Sequence, residues 1–161
     1  MAAQGAFVPS DGLAVEIERI ASLYPERMAA VLPALHAVQR EVGWVPLEAQ
    51  RWVAGQLGVP AAHVYGCVSF YTLLRPRPLG RHHIQVCRTL SCELRGADGI
   101  LEHLKRRLGI EDGGVTADGR FSLAAVECLG SCGTAPAMQV NDDYHENLTR
   151  EKVDELLDRL R

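Results

Sequence analysis

Two cysteine pairs constrain this chain more than any other feature: Cys87 and Cys92, spaced C-x4-C, and Cys128 and Cys132, spaced C-x3-C, with 35 residues between the pairs. Each pair can set two sulfurs on one side of a turn. A fold that brings the two turns together offers four thiolates to one inorganic centre, a donor set that suits tetrahedral zinc or a [2Fe-2S] cluster. The stretch ahead of each pair reads as a strand. His82 to Val86 has alternating, β-branched character and runs into Cys87, and Phe121 to Val126 leads in the same way to Cys128. If those strands are neighbours, both cysteine loops leave the same edge of one sheet.

Composition narrows the chemistry. The start, Met1 to Ser10, lacks the basic segment and apolar stretch of an export signal, so five cysteines imply a reducing compartment and metal binding rather than disulfide stapling. A net charge of -3 and a pI near 6.1 give no electrostatic basis for a nucleic-acid partner. Lys105-Arg106-Arg107 is a basic cluster at a predicted helix end, where cations offset the exposed carbonyls. No apolar run approaches the roughly 20 residues that span a bilayer, so direct membrane insertion is not expected and a partner must supply any membrane attachment.

The rest of the chain reads as two parts. Residues 1–10 are small, polar and aperiodic, a flexible N-terminus. Leu13, Ile17, Ile20, Ala21 and Tyr24 mark a first helix, and Pro25 opens a second with Met28, Val31, Leu32, Leu35, Val38 and Val42 inward, bent or interrupted by Pro33. Gly43-Trp44-Val45-Pro46 and Gly58-Val59-Pro60 stop one helix and start the next. Those restarts give a third helix to about Leu57, with Trp52, Val53 and Leu57 inward, and a fourth from Ala61 to about Leu73. Val64, Cys67, Val68 and Tyr71 share a face of the fourth. Residues 11–75 are therefore expected as an antiparallel helical bundle. The proline-rich stretch 76–80 is a stiff linker. In 81–161 the order is strand, helix (Gly96 to Leu108), strand, two short strands (Ala137 to Val140 and Tyr144 to Glu146) around an Asn141-Asp142-Asp143 turn, and a C-terminal helix. That predicts a small mixed sheet covered by helices, and an α+β chain overall.

Iron and sulfide fit the cysteines better than the alternatives. Structural zinc sites usually use C-x2-C knuckles, and both loops here are longer. A thioredoxin-type dithiol needs C-x-x-C, and a Rieske centre needs two histidines beside its cysteines; His82 and His83 stand on the incoming strand with nothing to pair them near Cys128. Zinc-stabilised scaffold and thiol–disulfide oxidoreductase remain the readings from other classes. A thiolate-bound cluster needs N–H dipoles aimed at its sulfurs, and Gly130 and Gly133 leave room for backbone to approach. Thr89, Ser91, Gly130, Ser131 and Gly133 are the expected surrounding groups, with Cys92 just ahead of a helix N-terminus. Cys67 reads as a small packed hydrophobe, His36, His63, His103 and His145 as surface or packing residues, and Trp44, Trp52, Phe70 and Tyr71 as core or joint residues.

On Gly43 to Pro46, Gly66-Cys67-Val68-Ser69-Phe70-Tyr71, Thr116 to Phe121, and both cysteine segments through Asn141, the chain resembles the NuoE-type subunit of NADH:quinone oxidoreductase, respiratory complex I. The resemblance spans about residues 13 to 160. It implies an N-terminal helical bundle followed by a thioredoxin-like domain whose [2Fe-2S] cluster is held by Cys87, Cys92, Cys128 and Cys132. It also implies partners: a flavin-bearing NuoF-type subunit that carries FMN and NADH, and further iron–sulfur subunits, in a cytoplasmic assembly peripheral to the inner membrane. In that setting the cluster exchanges one electron with FMN while hydride chemistry stays on the partner. The same module occurs in NAD-dependent formate dehydrogenases and in NAD-linked or bifurcating hydrogenases, which are the alternative parents. The family does not need a cysteine at position 67.

Overall fold

The computed structural model describes residues 7–160, folded as two compact units divided between Pro78 and Leu79. Each unit has its own apolar core.

In the first unit, helix α1 spans Asp11–Ala21 and buries Leu13, Ile17, Ile20 and Ala21. Ser10 caps it, its Oγ accepting from the Leu13 N–H at 3.1 Å. Of the stretch expected to be flexible, residues 1–6 lie outside the described residues. The remainder is anchored: Phe7 packs on Trp52 with ring centroids 5.6 Å apart, and the Ser10 hydroxyl donates to Glu41 at 2.7 Å. Tyr24 falls beyond α1 and is exposed.

A 3₁₀ turn, Arg27–Ala30, precedes α2, Val31–Val42. Pro25 therefore lies in the joint and not in a helical first turn. Pro33 interrupts nothing, because it sits within the first turn of α2, where its missing N–H has no helical partner to lose. The buried face of α2 shifts accordingly. Ala30, Val31, Ala34, Leu35, Ala37 and Val38 are inside, whereas Met28 and Val42 are exposed.

Helix α3 spans Leu47–Leu57 and α4 spans Ala61–Phe70, each preceded by a proline and following a left-handed glycine, Gly43 or Gly58. Val53, Leu57, Val64 and Val68 enter the core, and Trp52 and Cys67 pack against it. Successive helices pack on one another across these short joints as an antiparallel bundle.

Helix α4 ends three residues earlier than its sequence pattern predicts. The chain turns to bury Leu74, and Gln39 holds that turn, donating to the Leu73 carbonyl at 2.9 Å and accepting from Arg75 N–H at 2.7 Å. Phe70 and Tyr71 are consequently exposed, paired edge to face, rather than part of the core.

The second unit holds a four-stranded sheet in the order β2-β1-β3-β4, built from β1 (His82–Cys87), β2 (Phe121–Val126), β3 (Met138–Val140) and β4 (Asp143–His145). Strands β1 and β2 are parallel, and β1/β3 and β3/β4 antiparallel. Ile84, Val86, Phe121 and Leu123 join Met138 and Val140 in a core closed by α6 (Ala97–Leu108) and α7 (Arg150–Arg159) through Ile100, Leu104, Val153, Leu156 and Leu157.

The β3–β4 turn is tighter than expected, because Asp143 already pairs with Val140. Asn141 adopts φ 54, and its side chain accepts from the His83 N–H and donates to the Arg81 carbonyl. These bonds make a left-handed asparagine favourable. A short helix, α5 (Leu90–Leu94), has no counterpart in the sequence pattern. Cys92 lies inside it and not in a loop ahead of a helix.

Burial, followed by the Arg159 cation, pushes His145 below its ordinary value of 6.5, against the pull of Asp143. As pH falls, the unfolded chain takes up that proton first. The unit should therefore lose stability as pH drops through about 6.5 toward the lower folded value. Thermal melting should show a fall in Tm between about pH 7.5 and 6 that is smaller in His145→Gln.

Candidate metal centre

The parallel pairing of β1 with β2 does the assembling. Cys87 is the last residue of β1 and stands in register with Val126, the last of β2; Cys128 follows two residues later. The chain leaving β1 makes the Arg88 N–H to Val126 carbonyl bond at 3.0 Å, then enters α5 and delivers Cys92. The chain leaving β2 turns through Leu129-Gly130-Ser131 and places Cys132 at the start of a 3₁₀ turn, Cys132–Thr134. Both pairs thus meet at one end of the sheet.

The sulfurs interact across the two loops. Cys128 and Cys132 have their Sγ atoms 3.8 Å apart, and Cys87 and Cys92 are hydrogen-bonded to each other. Cys87 also feels Cys128, and Cys92 feels Cys132. Burial divides them: Cys87 and Cys92 are each 2% exposed beside Ala97, Ala135 and Ala137, whereas Cys128 and Cys132 are exposed. An open hollow of about 270 Å³ lies against Cys132, lined by Ser91, Leu94, Arg95, Gly133 and Ala135.

Backbone amides point at the sulfurs. Gly130 N–H donates to Cys128 Sγ at 3.3 Å, those of Thr89 and Leu129 donate to Cys87, and that of Ala137 to Cys92. The Gly130 peptide takes this position at φ 83, a left-handed conformation open to glycine at little cost. Thr89 Oγ1 lies 3.2 Å from Cys87 Sγ and also reaches Cys128, so it stands between the loops. The Gly130 N–H, then Thr89 and Cys132, hold the Cys128 thiol below its ordinary range. At Cys87 burial opposes the thiolate, but the donors of Thr89, Leu129 and Cys92 outweigh it and the net shift is downward. Burial, reinforced by Cys87, pushes Cys92 upward.

Of the other expected residues, Ser91 and Gly133 line the hollow. The Ser131 hydroxyl turns away to Glu146. The Leu129 and Ala137 amides escape sequence reasoning, because a backbone donor leaves no signature in residue type. Tyr144 and Glu146 escape it as well. Tyr144 Oη donates to the Leu129 carbonyl at 3.0 Å, and Glu146 accepts from Thr134 Oγ1 at 2.6 Å, so the β4 segment braces the second cysteine loop.

His82 and His83 begin β1, at the far end from Cys87. His83 Nδ1 lies 2.8 Å from Ser122 Oγ, and His82 packs on Phe121. Cys67 sits in the helical unit, 3.7 Å from His63, and burial raises its thiol.

The donor set fits a [2Fe-2S] cluster, in which each iron takes two thiolates and the sulfurs accept N–H bonds. Among the described residues, no three or more His, Cys, Asp or Glu side chains form a group that could hold a single metal ion.

The family model described as thioredoxin-like [2Fe-2S] ferredoxin matches residues 17–161. A NuoE-type subunit of the NADH-quinone oxidoreductase of Rhizobium meliloti (strain 1021) is 47% identical over 146 residues, covering 91% of this chain and 87% of the relative. The NADH-quinone oxidoreductase subunit 2 of Thermus thermophilus is also 47% identical over 146 residues, covering 89% and 81%. Among solved structures, an NAD+-reducing [NiFe]-hydrogenase in the H2-reduced state superposes with a TM-score of 0.69 at 23% identity. That match covers 81% of this chain but 22% of the hydrogenase chain, and the likeness is one of fold.

Proposed function

Because this chain belongs to the thioredoxin-like [2Fe-2S] ferredoxin family, and to the NuoE-type lineage of NADH-quinone oxidoreductase subunits, we propose that it is the electron-transfer subunit of the NADH-oxidising part of such a complex. Cys87, Cys92, Cys128 and Cys132 are its cluster ligands. FMN and NADH belong to a flavin-bearing NuoF-type partner, alongside further iron–sulfur subunits. Residues 11–75 form the helical domain, 76–80 the linker and 81–161 the cluster domain. No helix among the described residues is long and apolar enough to cross a membrane, so attachment to the cytoplasmic face of the inner membrane runs through the complex.

The observation that carries this reading is the meeting of two cysteine loops at the end of paired parallel strands, with amides directed at the sulfurs. When bound, a [2Fe-2S] cluster supplies one-electron chemistry. The chain's own contribution is electrostatic and steric. The N–H groups of Thr89, Leu129, Gly130 and Ala137 offset negative charge on the thiolates, and the alanine-lined side excludes water from Cys87 and Cys92. Cys128 and Cys132 form the open rim, the side from which a docked partner has the shortest path to the sulfurs.

Relatives of the NuoE type share 40–47% identity over nearly the whole chain, whereas the hydrogenase likeness supports the fold only. Purified protein should contain about two irons and two acid-labile sulfides per chain, absorb in the visible, and give a paramagnetic signal on one-electron reduction. Zinc without sulfide would refute the assignment and favour a zinc-held scaffold. Copurification with a flavin-bearing subunit and NADH-dependent reduction of the signal test the parent complex.

A further inference from the structure

The second cysteine loop is held by a residue outside it. Tyr144 in β4 donates its hydroxyl to the Leu129 carbonyl at 3.0 Å. That carbonyl belongs to the same peptide group as the Gly130 N–H, which donates to Cys128 Sγ at 3.3 Å. The N–H of Leu129 itself donates to Cys87. One residue of backbone therefore touches both cysteine loops, and Tyr144 fixes its far side.

We propose that Tyr144 is a positioning residue that raises the electron affinity of the cysteine site through the Leu129–Gly130 peptide. This rests on the four-cysteine reading given above. A hydrogen bond accepted by a peptide carbonyl draws electron density toward the oxygen and makes the attached N–H a stronger donor, since chained hydrogen bonds polarise one another. Reduction adds negative charge to a thiolate-bound centre, so a stronger N–H···S bond favours the reduced form and raises the potential.

The geometry suits a tuning role. Tyr144 is about half exposed and bears on the loop through its hydroxyl, so removing that one atom leaves the strand pairing of β4 with β3 in place. Glu146 braces the same loop differently, through Thr134 and Ser131, with no contact to the Leu129–Gly130 peptide among its hydrogen bonds. The two residues thus act on different parts of the loop. Glu146 ties down the segment around Cys132, and Tyr144 aims the amide at Cys128.

The test uses the full chain with its cluster, as wild type, Tyr144→Phe and Tyr144→3-fluorotyrosine, in redox titrations followed by electron paramagnetic resonance. In Tyr144→Phe the equilibrium constant for one-electron reduction is expected to fall about threefold, a negative shift of about 28 mV at 59 mV per tenfold for one electron. The fluorinated hydroxyl is a stronger donor, and its variant should shift in the positive direction. Electron–nuclear double resonance after exchange into heavy water should show weaker coupling to the nearest exchangeable proton in Tyr144→Phe. A merely structural role would leave that coupling unchanged. Unchanged potentials in both variants, with iron and sulfide intact, would overturn the proposal and leave the cysteine assignment standing. A wild-type chain without iron would overturn the assignment and the proposal together. If Tyr144→Phe loses its iron, the isosteric fluorotyrosine variant decides alone: a positive shift supports the proposal, and no shift ends it.

Discussion

Cys132→Ser is expected to remove most of the visible absorption and paramagnetic signal of the purified protein. A serine oxygen is a harder and far more basic donor than a thiolate, so it holds iron poorly beside bridging sulfide. The loss should be near total at this position because Cys132 is exposed and has only its neighbour Cys128 at 3.8 Å to share the open rim. Iron and sulfide analysis, read together with absorption, checks it. Iron content and spectra like those of the wild type would remove Cys132 from the ligand set.

Gly80→Ala should lower the stability of the second unit by about 1–3 kcal/mol. A Cβ built at Gly80 would collide with the Phe121 carbonyl carbon and stand 2.7 Å from Ser122 N and 2.8 Å from Phe121 Cα. These are backbone atoms of β2, which cannot rotate aside as a flexible side chain would. Relief requires β2 to move against β1, and β2 delivers Cys128 and Cys132. Calorimetry should therefore show a Tm several degrees lower, at about 4–8 °C per kcal/mol for a unit of this size. An unchanged Tm would mean that the Gly80 segment yields without disturbing the sheet.

Much of this architecture is legible in the residues because the local signals are strong. Alternation marks His82–Cys87 and Phe121–Val126, and a 3.6-residue period marks α6 and α7. Punctuation by Gly43, Pro46, Gly58 and Pro60 marks the joints of the helical unit. The failures have physical causes as well. Five residues of α5 make little more than one turn, too few for a period to show. Helix α4 stops early because Gln39, over 30 positions away, captures Leu73 and Arg75. Phe70 and Tyr71 look like core residues by type and are exposed by that same turn.

At the site, cysteine spacing identifies four candidate thiolates, and Thr89 and Gly130 are readable as neighbours. Spacing says nothing of which sulfurs are buried, and the pairs differ sharply in that respect. The Leu129 and Ala137 amides and the Tyr144 hydroxyl belong to contacts that only the folded sheet creates.

The register of Cys87 with Val126 also separates what can drift from what cannot. The loops that carry the sulfurs leave one end of two hydrogen-bonded strands, while the turn from Gly109 to Arg120 closes at the other end. Residues gained or lost in that distant turn would lengthen or shorten the chain between the cysteine pairs yet leave the rim unmoved. A search for kindred proteins should accordingly hold the two short intervals rigid and let the long one float.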